Sequence, residues 1–252
     1  NWDYELFRFL PKYLSVNTSE ERDIGLVKWK ENLGQLDTLV QPKQVDPKIF
    51  LKNNLNWIKN GEFSLDLKEK LINVYENRWN ETNDHYYIGI GQEADKLILK
   101  NEAAYENMPY PDDGFRLLSL MRYWNIIQYF YPYRNLLEKD WDKVFEEYLP
   151  QFIHSKNELE YEIATLKLIG EIGDSHANIW SGADKIDHLK GHFYSPSKVE
   201  FVEDKLVVTD HFVVTPKIYI PFELGDVITH INYKTVEYLI DSLKVFYPGS
   251  NE

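Results

Sequence analysis

The sequence predicts an α+β protein, and three observations predict it. Apolar residues recur at helical spacing through most of the chain up to about residue 170, as in Phe115, Leu118, Met121, Trp124, Ile127 and Tyr131. From Phe193 onward the period shifts toward two, with short β-branched runs between turn residues. Between Asn107 and Gly114, two prolines and two aspartates mark a linker and a domain boundary.

Taken in order, residues 2 to about 36 read as helical. Trp2, Leu6, Phe9, Leu10 and Tyr13 form the first stripe, a polar break follows at Ser15 to Glu20, and Asn17, Thr18 and Ser19 offer caps for a second helix with Ile24, Val27, Leu33 and Leu36 on its apolar face. Residues Pro47 to Trp79 are again mostly helical, broken at Asn60-Gly61, with Leu67, Leu71, Val74 and Tyr75 on one stripe. Tyr86 to Gly91 and Leu97 to Leu99 lean toward strand. Gly89 and Gly91 read as a turn, since no Walker lysine or helix follows to make a phosphate loop, and His85 reads as surface.

After the boundary come three helices. The first is stopped by Pro132, the second (Trp141, Val144, Phe145, Tyr148, Leu149) is expected to stop near Pro150, and the third follows a capping box of Ser155 with Glu158 or Asn157 with Glu160. Its face is Leu159, Ile163, Leu166 and Ile169, and three short-linked helices of this kind pack as a small bundle. In the β-rich end, Val199 to Val202 and Leu206 to Val208 flank a Glu203-Asp204 turn as a hairpin. Val213-Val214, Ile218 to Ile220 and Val227 to Ile231 are further strands, and Val236 to Lys244 is a short helix.

Composition excludes several functions. With 252 residues and 43% hydrophobic content the chain can bury more than one core, while a net charge of −13 and the lack of a basic run argue against nucleic acid as partner. Cysteine is absent, so neither disulfides nor thiolate chemistry are available. No apolar stretch is long enough to span a membrane. Seven Trp, eighteen Tyr and thirteen Phe suit both cores and clefts for peptide or sugar.

The chemistry centres on Gly173-Asp174-Ser175-His176-Ala177, which closes the third helix of the cap segment. It puts a hydroxyl, an imidazole and a carboxylate on one turn, and an imidazole exchanges protons near neutral pH while a neighbour fixes its tautomer. The same residues also make an ordinary turn, so residue types alone leave both readings open. A second constellation, Asp184, Asp187, His188 and His192, has a His-x3-His spacing suited to a metal. Gly182 and Gly191 argue against a stable helix there, so a solvated linker and no metal site are expected. The aromatic run Tyr123 to Tyr133 reads as core, and His154, His211 and His230 read as structural residues without partners.

Three stretches in order carry a family resemblance: Arg122-Tyr123-Trp124 through Tyr131-Pro132-Tyr133 leading to Trp141-Asp142, then Gly173 to Ala177, then Leu224-Gly225-Asp226-Val227-Ile228-Thr229-His230-Ile231-Asn232. The last resembles the signature of a PDZ domain, although Tyr233 stands where glycine commonly follows and no carboxylate-binding loop is evident near Tyr194 to Val199. The run from about Pro111 to Glu252 resembles the N-terminal half of the tail-specific, or C-terminal processing, serine peptidases, including the tricorn-core-like branch.

That resemblance implies three parts: residues 1–110 of unassigned role, a helical cap segment 111–181, and a PDZ-like domain 192–252. It implies that His176 is the general base and Ser175 helps orient a tetrad, with the nucleophilic serine on a downstream catalytic domain of the same polypeptide. In members with a Ser–Lys dyad the corresponding His is not the base. The expected function is therefore the non-catalytic front part of a serine endopeptidase that binds peptide or protein substrate, without metal or organic cofactor, inactive by itself, and extracytoplasmic after removal of a leader. The alternative is a PDZ-like peptide-binding scaffold in which Ser175-His176 is only a turn.

Overall fold

Nine α-helices and seven short strands form among residues 2–34, 55–77, 87–90, 97–180, 182–212 and 219–249, which the computed structural model describes. The chain is α+β. Its residues fall into two units, Asn1–Met108 and Pro109–Glu252.

In the first unit, α1 (Trp2–Leu14) and α2 (Ser19–Asn32) meet where Trp29 packs on Phe9 and edge-on against Trp2. Thr18 caps α2: its hydroxyl accepts the Glu21 N–H at 3.1 Å, and the Glu21 carboxylate accepts the Asn17 N–H at 3.0 Å. The expected apolar face of α2 is not what it buries. Ile24 and Leu33 are about half exposed, and the buried residue is Asp23. Its carboxylate accepts the Ser64 N–H at 2.5 Å and pairs with Arg22 at 2.8 Å, satisfying a backbone donor at the entry to α4 (Leu65–Asn77). The short α3 (Asn56–Asn60) adds Ile58, and α4 adds Leu67, both fully buried. Strands β1 (Ile88–Ile90) and β2 (Leu97–Leu99) pair antiparallel with Gly89 opposite Ile98, so Gly89 lies within a strand and not in a turn. Leu36, Gly91 and His85 lie outside the described residues.

In the second unit, α5 (Asp113–Phe130), α6 (Trp141–His154) and α7 (Glu158–Gly170) close over Leu120, Ile127, Trp141, Val144, Tyr148, Phe152, Ala164 and Leu168. Each of the larger side chains contributes about 1.5–3 kcal/mol by leaving water. Asp112 caps α5 through the Phe115 N–H. Of the two capping boxes, Asn157 with Glu160 forms: the Glu160 N–H donates to Asn157 Oδ1 at 3.0 Å and the Glu160 carboxylate accepts the Lys156 N–H at 2.8 Å.

Pro150 does not stop α6, which runs on to His154. A mid-helix proline costs about 3 kcal/mol. The offset lies in the turn beyond it, where Phe152 is fully buried and the Arg116 guanidinium donates to the Phe152 and Ile153 carbonyls at 2.6 and 2.8 Å. Arg116 is itself buried, with further bonds to the Pro111 carbonyl and Asp113.

A short α8 (Asp184–Lys190) does form, held at its start by the buried Glu162 carboxylate, which accepts the Lys185 and Ile186 N–H groups at 3.2 and 2.8 Å. Gly191 closes it at φ 81°. Beyond it, β3 (Ser197–Val202), β4 (Lys205–His211) and β5 (Val227–Ile228) make an antiparallel sheet in the order β3-β4-β5. Glu203 and Asp204 both have positive φ, 48° and 61°, the two-residue turn whose twist suits a hairpin. The run Val227 to Ile231 is not one strand. It breaks at Thr229, after which β6 (His230–Ile231) pairs with β7 (Lys234–Thr235) across Asn232 and Tyr233, and Tyr233 takes the φ of 65° that glycine adopts more easily. Helix α9 (Val236–Leu243) follows, capped by Thr235, and a 3₁₀ turn (Lys244–Phe246) inserts Phe246 among Leu166, Ala183 and Ile186. Val213, Val214 and Ile218 lie outside the described residues, and Tyr219-Ile220 is not strand.

Candidate functional site

Helix α7 delivers the Asp-Ser-His turn, and its end is pinned from α6. The Glu171 carboxylate accepts from the Tyr148 hydroxyl at 2.8 Å and from Lys139 at 2.9 Å. Burial first, and then that carboxylate, push the Tyr148 phenol well above its ordinary pKa, so it stays a neutral donor. The chain then turns out of the helix at Gly173, whose φ of 61° suits glycine.

Asp174 organises the turn and the ring beside it. Its Oδ1 accepts the backbone N–H of His176 at 2.8 Å and lies 3.3 Å from Nδ1 of the same residue's ring, while its carbonyl accepts the Ala177 N–H at 2.9 Å. One carboxylate oxygen therefore fixes both the turn and the near side of the imidazole. The His176 side chain is 93% exposed, which leaves its far nitrogen, Nε2, facing solvent. A carboxylate on Nδ1 selects the tautomer that leaves Nε2 able to take a proton. Ser175 is exposed, and its hydroxyl bonds to no described residue. The structure thus brings Asp174 to His176 and does not bring the Ser175 hydroxyl to the ring.

Behind the turn stand tyrosines of α5 and its C-terminal cap. Burial, the neighbouring Tyr131 and the Asp174 carboxylate raise the Tyr123 phenol far above its ordinary value, and burial, Asp174 and Tyr133 raise Tyr131. The Tyr123 oxygen is buried without a hydrogen-bond partner among the described residues, and Tyr131 packs edge-on against the exposed Tyr133 at 5.9 Å. The aromatic run is therefore only partly core: Tyr123, Trp124 and Tyr131 pack on it, while Tyr129, Phe130 and Tyr133 remain substantially exposed.

Two histidines expected to lack partners have them. His211 Nδ1 lies 3.1 Å from the buried Ser197 hydroxyl across the open end of the β3–β4 hairpin, and His230 Nδ1 lies 3.1 Å from Thr229 Oγ1. The Ser197 hydroxyl is enclosed by the hairpin, so this pair serves structure. Of the Asp184, Asp187, His188 and His192 constellation, the structure brings together His188 and His192, with ring centroids 5.4 Å apart, and among the described residues no group of three or more acidic or imidazole side chains converges on a metal position. Sequence reasoning missed Arg116, Glu162 and Asp23 as buried charges, because the partners of each come from distant segments. In the first unit a groove of about 730 Å³ runs past Ile24, Val27, Phe63 and Asp23, and it contains no imidazole.

No protein-family model, curated protein or solved structure matches this chain. No described helix is long and apolar enough to cross a membrane.

Proposed function

We propose that this chain is the front, non-catalytic part of a serine endopeptidase of the tail-specific type, with His176 as the general base for a nucleophile carried on a downstream domain. The observation that supports it is the Asp174 carboxylate turned back onto Nδ1 of a ring whose Nε2 is open to solvent. Serine catalysis needs this division of labour, because a hydroxyl attacks only when a positioned base takes its proton and a carboxylate steadies the resulting imidazolium. Asp174 takes the orienting role the resemblance gave to Ser175; the exposed Ser175 remains available to a further group. The β-rich segment would bind substrate as a PDZ-like domain, and its outer strand β3, paired among the described residues only with β4, leaves an edge to which an extended peptide can add. That edge equally favours the second reading, a peptide-binding scaffold without catalysis.

Reading the gene past the codon for Glu252 separates the two. The peptidase reading requires a serine-bearing domain there, and in the longer product His176→Gln is expected to lower kcat for peptide hydrolysis by about a thousandfold or more. A stop codon at once, or hydrolysis indifferent to His176→Gln, overturns it.

A further inference from the structure

We propose that His188 and His192 form a two-imidazole site for a borderline transition-metal cation, Zn²⁺ or Ni²⁺, at the exposed end of α8. The geometry carries it. A tetrahedral ion held by two imidazole nitrogens at about 2.0–2.1 Å places the ring centroids about 5 Å apart. The two rings stand at 5.4 Å, with planes inclined by 81°. Both side chains are exposed, so rotation about their χ angles can turn a nitrogen of each ring to one ion.

The local backbone explains why the pair meets. His188 lies in the last turn of α8, and Gly191, at φ 81°, ends the helix so that His192 returns over that turn instead of continuing the spiral. Neither ring is tied up in a hydrogen bond or ion pair with a described residue, and both are exposed. Lys190, the nearest cation in sequence, is engaged over the Tyr247 ring at 4.9 Å, while Asp184 and Asp187 lend the helix negative charge. No third His, Asp or Glu among the described residues closes on the pair, so the remaining coordination positions go to water. Imidazole donors select zinc, nickel or copper over calcium and magnesium, which prefer oxygen.

The ion would bridge across Gly191, at the point where the chain leaves α8 for β3. It would therefore act as a staple on that exit, and its binding would stabilise the folded chain by mass action.

Isothermal titration of ZnCl₂ into the chain tests this, with a thermal melt in the presence and absence of zinc as the second readout. One site is expected. His188→Ala and His192→Ala should each weaken it by about tenfold or more, because a two-point chelate becomes a single contact, and should abolish the zinc-dependent rise in Tm. Both rings are exposed, so circular dichroism should show either variant folded. His154→Ala and His230→Ala should leave binding unchanged. Zinc affinity that is the same in wild type and both variants, or that falls equally with His154→Ala, would overturn the site, as would the absence of binding at millimolar zinc.

Discussion

Between Asp113 and Lys190 the core closes over residues such as Leu120, Val144, Phe152, Leu168 and Ile186, whereas between Ser197 and Gly249 the buried side chains among the described residues are Ser197, Val208, Val236 and Phe246. The contrast is sharpest among aromatics. Trp141 and Phe152 are almost wholly buried in the helical part, while Phe193, Tyr194 and Tyr233 stand fully in solvent in the β-rich part and Phe201, on the same sheet face as Val199 and Val208, is 57% exposed. Hydrophobic burial is the main favourable term in folding. Stability in this unit is therefore concentrated in the helices that carry the Asp174–His176 turn, and the chain returns to them after α9 by inserting Phe246 against α7 and α8. The proposed function would use this difference, with the rigid part holding a general base and the more yielding part receiving peptide.

The largest effect should come from breaking the helical core. Phe152→Ala is expected to cost about 3–5 kcal/mol in chemical denaturation, against less than about 0.5 kcal/mol for Phe201→Ala. Equal losses would erase the contrast. Next comes the joint between the two parts. Phe246→Ala should cost about 3 kcal/mol and, in hydrogen exchange, should speed the amides of α9, whose following turn it anchors, more than those of α5 and α6. Uniform acceleration would show that α9 is not held to the helices by that side chain.

A smaller test compares the second unit with the first. Burial raises the Asp23 carboxyl, but the Ser64 N–H and the Arg22 guanidinium outweigh it and hold it below the ordinary carboxylate value. A carboxyl depressed in the folded state gives stability that is present above its unfolded pKa of about 3.9 and lost as pH falls through its folded pKa. Urea melts of wild type and Asp23→Asn, followed by the Trp29 region, should therefore differ most at neutral pH and converge in acid. A gap that widens in acid would contradict the assignment.

Local rules were legible in the sequence wherever the partner was close by. Thr18 and Asn157 stood among the few adjacent cap candidates, the Glu203-Asp204 turn announced its hairpin, and the shift of period after Phe193 marked the change from helix to strand. Long-range partners were not. Nothing near Pro150 says that Arg116, 36 positions before Phe152, will cap the helix end, and nothing near Asp23 points to Ser64, 41 positions on. The candidate site divides the same way. Residue types put Asp174 and His176 on one turn, but the wall of Tyr123 and Tyr131 behind them exists only once α5 and α7 have packed.

The central claim is that Asp174 prepares His176 to accept a proton at Nε2. Two-bond nitrogen–proton correlation spectra of the histidine rings measure this in the chain as it stands. In the neutral ring His176 is expected to carry its proton on Nδ1, facing Asp174, and Asp174→Asn to shift the population toward the Nε2–H form. A ring already in the Nε2–H form, unchanged by Asp174→Asn, would mean that the carboxylate only shapes the turn and that His176 is not prepared as a base.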